Sequence, residues 1–282
     1  MLKRCLFVGF AVLFPMLVRA QHSCCSAPMG ATERFAVMMN DPEFIGAHAA
    51  PLPFSPALAG SMISYSCTDG KTASAYSVKS SKHPEDVVIM VHEWWGLNEY
   101  IKSEADRLCT TLGVSVIAVD LYDGKVAKTA EEAGKLTQSV NSDRAKTIIA
   151  GAIAYAGNDA HIATIGWCFG GGWSHQAAII GGAQTVGCVI YYGMPEMNEA
   201  KLKATTFPVL GIFGKKDQWI TTKVVGDFQM AMKKAGKELT VHSYDANHAF
   251  ANPSNPNHDE KATADAWVHT EGFLRTVFHL KK

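Results

Sequence analysis

Six short strand-like runs, spaced by stretches with helical patterning, constrain this chain more than any other feature. Val87–Val91 and Val114–Val119 are apolar at every position or nearly so. The series continues with Ile162–Ile165, Val186–Tyr191, Pro208–Phe213 and Leu239–Tyr244. A strand without polar alternation is one buried on both faces. Helical stretches fall between these runs: Glu99–Leu112, stopped by Gly113, then Ala130–Val140, Arg144–Ala156, and a helix containing Ser174–Ile180. A last helix is expected over roughly Asp259–Phe278. Alternation of this kind predicts an α/β fold, a mostly parallel sheet with helices on both faces. Before it, Ser61–Ser66 and Thr72–Val78 alternate around Thr68-Asp69-Gly70 and read as a hairpin. With 282 residues, 48% of them hydrophobic, there is enough apolar surface for one large core, placed over 59–282.

The N-terminus reads differently. Met1-Leu-Lys-Arg4 is positive, Cys5 to Val18 is apolar but short for a membrane span, and Val18-Arg-Ala20 offers a cleavage site. Residues 1–20 are therefore expected to be a signal peptide and the mature protein exported, periplasmic or extracellular. An uncleaved anchor is the alternative; a lipoprotein on Cys24 lacks the usual Leu-Ala-Gly setting. Residues 21–58 carry five prolines and one short helical stretch near Thr32–Met39. They are expected to form an extension that packs over the domain or stays partly mobile. Formal net charge is zero, which argues against partners such as nucleic acid or an anionic membrane surface. Cysteine spacing does not resemble a zinc set, and no metal or organic cofactor is expected. Cys24 or Cys25 is a candidate disulfide partner for Cys67, and Cys109 and Cys188 read as core thiols.

In a parallel sheet the active site lies beyond the carboxyl ends of the strands. After Ile165 comes Gly166-Trp167-Cys168-Phe169-Gly170, the G-x-nucleophile-x-G form with cysteine in the nucleophile position. Flanking glycines permit a turn tight enough to hold the nucleophile strained and exposed above the sheet. The helix start favours thiolate. After Phe213 comes Asp217, which is placed to orient a histidine; Asp227 is a weaker rival because it sits in a helical pattern. After Tyr244 comes His248, the candidate base, and the order nucleophile, acid, histidine is that of a known hydrolase class. After Val91 comes His92-Glu93-Trp94-Trp95-Gly96-Leu97-Asn98. The backbone N–H groups of Trp94 and Phe169 are the candidate oxyanion donors, each worth ~3–4 kcal/mol in the transition state. Trp95, Trp167, Tyr122 and Phe250 are candidate pocket walls.

Taken together, the His92–Asn98 loop, Val119-Asp120-Leu121-Tyr122, the Gly166–Gly171 elbow and Asn247-His248-Ala249-Phe250 resemble the dienelactone hydrolase family over about Ser61–Phe278. The resemblance implies the α/β-hydrolase fold and cleavage of a small-molecule ester or lactone through Cys168, His248 and Asp217. It also implies that Glu93 holds the resting thiol and takes its proton. Two arginines that bind a substrate carboxylate in that family fall here on Asn252 and near Ala130, so the chemistry is expected to be kept and the substrate to differ. A general esterase, thioesterase or peptidase shares the same transition-state type. A binding protein with a decayed site is the alternative from another class. Sequence does not give the oligomeric state.

Overall fold

A computed structural model describes residues 30–281. The expected signal peptide, and Cys24 and Cys25 with their suggested pairing, lie outside the described residues. The strands are β1 (Ser61–Ser66), β2 (Thr72–Val78), β3 (His83–Val91), β4 (Val114–Val119), β5 (His161–Trp167), β6 (Thr185–Tyr191), β7 (Val209–Gly214) and β8 (Leu239–Tyr244). They form one sheet in the order β1-β2-β4-β3-β5-β6-β7-β8. The β1–β2 hairpin and the β2–β4 pair are antiparallel; every pair from β4 to β8 is parallel. This is the mostly parallel sheet the apolar runs require.

Register sets the site. Val91 of β3 lies level with Gly166 of β5, and Trp167 with Tyr191 of β6. The loops after β3, β5 and β6 therefore leave the sheet at one height. Gly214 of β7 faces Tyr244 of β8, so the loops carrying Asp217 and His248 leave side by side.

Nine helices are described: α1 (Ala31–Val37), α2 (Pro42–Gly46), α3 (Glu99–Leu112), α4 (Ala130–Ser139), α5 (Ser142–Ala156), α6 (Phe169–Gly181), α7 (Glu199–Ala204), α8 (Thr222–Ala235) and α9 (Glu260–Val277). Helix α3 ends on Gly113 in the left-handed conformation, as its sequence predicts. The start of α5 lies two residues before Arg144 because the Asn141 side chain caps it, accepting from the amides of Asp143 and Arg144. Helix α6 is buried from Phe169 through Ala178 and is the central helix of the domain. Among the described residues no helix is long and apolar enough to cross a membrane.

The extension packs on the domain through α1 and α2. Pro42 opens α2 and Asp41 caps it, accepting from the Glu43 amide. The Asp41 side chain also takes a hydrogen bond from Trp219 Nε1 at 2.9 Å, and Arg34 donates to the Pro195 carbonyl at 2.9 Å. Phe35 and Phe44 are fully buried, the first against Phe169 and the second against Trp94 and Trp219. Helix α2 has no sequence signal beyond its cap, since five residues are too few to show a period.

Candidate active site

The chain turns from β5 into α6 at Cys168, whose backbone sits at φ 56°, ψ −118°. That region is costly for a residue with a side chain, so the surroundings must enforce it. They do so by contact. A Cβ on Gly166 would lie 2.1 Å from the Gly170 carbonyl oxygen, and a Cβ on Gly170 would lie 2.3 Å from the carbonyl oxygens of Val91 and His92. Helix α6 can press against β5 and β3 only because both positions are glycine. The Cys168 amide donates to Tyr191 C=O at 3.0 Å, tying the elbow to β6.

His248 Nε2 lies 3.3 Å from Cys168 Sγ, and its Nδ1 lies 2.6 Å from Asp217 Oδ2. The other carboxylate oxygen of Asp217 accepts from the amides of Trp219 and Ile220 at 2.9 and 2.8 Å. Asp217 is thus oriented from three sides. The alternative acid, Asp227, pairs with Lys223 on the outer side of α8. Cys168 and His248 are each 1% exposed and Asp217 4%.

Burial decides part of the electrostatics. It pushes the Cys168 thiol above its ordinary value, the Glu93 charge adds to that, and His248 and the Phe169 N–H oppose it without reversing it. The thiolate preference expected from the helix start is outweighed, because a buried sulfur lacks water to solvate its charge. Burial also works against a charged His248, but the Asp217 carboxylate, and Cys168 once its proton has moved across, more than offset it, so the imidazolium is favoured in the ionised pair. Asp217 follows the same logic in the opposite sense. Burial raises it, while His248 and the two amides overcome that and keep it below the usual carboxylate range.

Glu93 stands beside this relay without a hydrogen bond to the sulfur. Its oxygens accept from Asn252 Nδ2 at 2.5 Å and Tyr192 Oη at 3.4 Å. The sulfur's hydrogen-bond partner is His248, and Glu93 acts on it through its charge. Burial pushes Glu93 up to about 7, against the pull of His248, Asn252 and Tyr192. Asn252, where the family resemblance points to an arginine, anchors this carboxylate instead. The other such position, Ala130, opens α4 and packs against the core.

A cavity of about 600 Å³ adjoins Glu93 and Asn252, walled by Trp167, Tyr191, Ile101 and Trp267. Trp167 lines this cavity, whereas Trp95, Tyr122 and Phe250 do not. Trp95 is buried against Trp94, and Phe250 against Tyr192 and Tyr244. Tyr122 Oη bonds the Trp94 carbonyl at 3.0 Å and Thr137 at 2.8 Å, bracing the loop from behind. The cavity's cation is Arg107. It stacks 3.4 Å over the Trp267 ring and pairs with Glu104, so its charge is already engaged. Lys125, Lys128 and Lys135 do not line this space.

Sequence reasoning missed four neighbours of the relay. Tyr192 and Trp219 flank His248 at ring-centroid distances of 5.2 and 5.9 Å. From the extension come Phe44, 5.7 Å from His248, and His48, 5.4 Å from it. Tyr192 and Trp219 follow strand ends and were open to the same rule that found His248. Nothing local marks His48 or Phe44.

The topology and the strained strand-to-helix elbow, with acid and histidine following in that chain order, define an α/β hydrolase. The family model described as dienelactone hydrolase family matches residues 73–278, and the chain belongs to that family. It is a carboxylic-ester hydrolase. Protein usf of Aquifex pyrophilus is 27% identical over 201 residues, covering 67% of this chain and 87% of the relative. Carboxymethylenebutenolidase 1 of Cupriavidus pinatubonensis is 26% identical over 211 residues, covering 70% of this chain and 88% of that protein. Among solved structures, a dienelactone hydrolase-like promiscuous phosphotriesterase from metagenomic libraries superposes with TM-score 0.67 at 21% identity, over 78% of this chain and 99% of that one.

Proposed function

We propose that the chain opens carboxylic ester or lactone bonds through Cys168, His248 and Asp217, by way of an acyl-enzyme. The observation that carries the reading is the continuous relay from Asp217 Oδ2 through His248 to Cys168 Sγ, at 2.6 and 3.3 Å, on a strained elbow. His248 takes the thiol proton as the sulfur attacks the carbonyl carbon. Backbone N–H groups of Phe169 and Trp94 receive the oxyanion. The imidazolium protonates the leaving alkoxide, and neutral His248 then activates water against the thioester. Asp217 holds the tautomer that leaves Nε2 facing the sulfur. Glu93 acts on the sulfur by charge. Ionised, it disfavours thiolate; neutral, it releases that opposition.

The substrate is proposed to be a neutral or weakly charged ester with an apolar body. Aromatic walls support this, as does Arg107 being spent on Glu104 and Trp267. Glu93, Glu104 and Glu260 on the same walls disfavour the free carboxylate that the family's arginines would bind. Export to an oxidising compartment is part of the same proposal and rests on residues 1–20 alone.

The test is hydrolysis of a panel of p-nitrophenyl esters and lactones by the mature protein, with Cys168→Ala and iodoacetamide-treated enzyme as controls. Turnover is expected to vanish in both and to favour uncharged aromatic esters over carboxylate-bearing ones. Activity that survives complete alkylation of Cys168 removes the nucleophile assignment. A flat panel favours a binding role.

A further inference from the structure

The extension delivers a third donor to the relay. His48 Nδ1 lies 2.6 Å from the Phe44 carbonyl oxygen, which fixes the proton on Nδ1 and leaves Nε2 with its lone pair. That Nε2 is buried and has no hydrogen-bond partner among the described residues. An orphaned buried nitrogen is costly unless something occupies it.

His48, Cys168 and His248 each present one donor atom, and the three lie within 4.8 Å of one another. Both histidines are braced in the manner of metal ligands, His48 by a backbone carbonyl and His248 by the Asp217 carboxylate. We propose that these residues form a binding site for a borderline-soft divalent cation such as Zn²⁺, through His48 Nε2, Cys168 Sγ and His248 Nε2, which silences the nucleophile and pins the N-terminal extension over it. Bonds of ~2.0 Å to nitrogen and ~2.3 Å to sulfur put tetrahedral ligands about 3.3–3.6 Å apart, so the triangle closes by about an ångström at its widest. One proton leaves to solvent on binding, from Sγ or from His248 Nε2, whichever holds it. The thiolate and the Asp217 carboxylate then balance the cation's two charges. A fourth position remains for water.

The inference rests on the donor set and not on ester chemistry, so either can fail alone. The experiment titrates the reduced, chelator-stripped mature protein with Co²⁺ and displaces it with Zn²⁺. A His269→Ala background removes the stacked His242–His269 pair, a competing surface donor set. One equivalent is expected, with a thiolate-to-cobalt charge-transfer band in the near ultraviolet. The band is expected to be lost in Cys168→Ala. In His48→Gln, which keeps the side chain's bulk, affinity is expected to fall by at least the ~10–100-fold typical of losing an outer-shell partner. Zn²⁺ is also expected to slow amide exchange over residues 42–48 in the protein with His48 intact. No sulfur band, unchanged affinity in His48→Gln, or unaltered exchange over that segment overturns the site. Ester turnover in the metal-free protein reports on the triad separately.

Discussion

Phe44→Ala tests whether the extension governs access to the sulfur. Phe44 is fully buried and its ring meets Trp94, Trp219, His48 and His248 at centroid distances of 5.5, 5.0, 4.4 and 5.7 Å. Truncating a buried phenylalanine costs roughly 3–5 kcal/mol. Helix α2 is only five residues long and holds its place by such contacts, so the cost is expected to fall on its docking and not on the sheet. At about 1.4 kcal/mol per tenfold, the undocked population rises roughly 10²- to 4 × 10³-fold. Cys168 is 1% exposed when the segment is docked, so its alkylation reports that population when reclosing is fast. The assay is iodoacetamide labelling followed peptide by peptide, with buried Cys109 and Cys188 as internal references. The expected result is faster labelling of Cys168 alone, with the melting temperature of the domain nearly unchanged. Phe44→Leu should give a smaller increase. An unchanged Cys168 rate refutes the reasoning and leaves the Glu93 cavity as the route. Equal acceleration at all three cysteines refutes it differently, since the segment would then unfold only with the whole domain.

Asp217→Asn keeps shape but loses the charge that supports the His248 imidazolium; turnover is expected to fall about 10³–10⁴-fold, read by single-turnover kinetics on an activated ester. An unchanged rate would move the acid elsewhere. Glu93 sits at about 7 when folded against 4.5 as its ordinary value, so the unfolded chain gives up this proton first as pH rises. Its contribution therefore erodes stability between those values, by roughly 3 kcal/mol in total, with the full penalty present above pH 7. Urea melts of Glu93→Gln from pH 4 to 8 should lack this decline, and a matching limb near pH 7 in kcat should vanish with it. Gly170→Ala drives a Cβ to 2.3 Å from two carbonyl oxygens of the β3 end, and at least about 2 kcal/mol of destabilisation is expected in thermal unfolding. A neutral effect there would show that α6 is free to retreat from the sheet.

Local sequence determined the sheet, the elbow and the order of the relay. Val87–Val91 and Val114–Val119 are apolar because both faces of a parallel strand are covered, and that pattern survives translation into any register. Gly166 and Gly170 are legible because a backbone contact that excludes a Cβ leaves one residue type. His248 is legible as a candidate because parallel strands deliver their following loops to one edge. Tertiary structure alone decided how those parts are charged and what covers them. Whether Cys168 rests as thiol or thiolate depends on burial, which a helix start does not reveal. That Glu93 is held by Asn252 and Tyr192, and not by the sulfur, depends on residues 159 and 99 positions away. The arrival of His48 and Phe44 depends on a short helix, capped by Asp41 and opened by Pro42, that packs over the relay. Periodicity records which face of an element is buried, but not which distant segment buries it; that information exists only once the chain has folded.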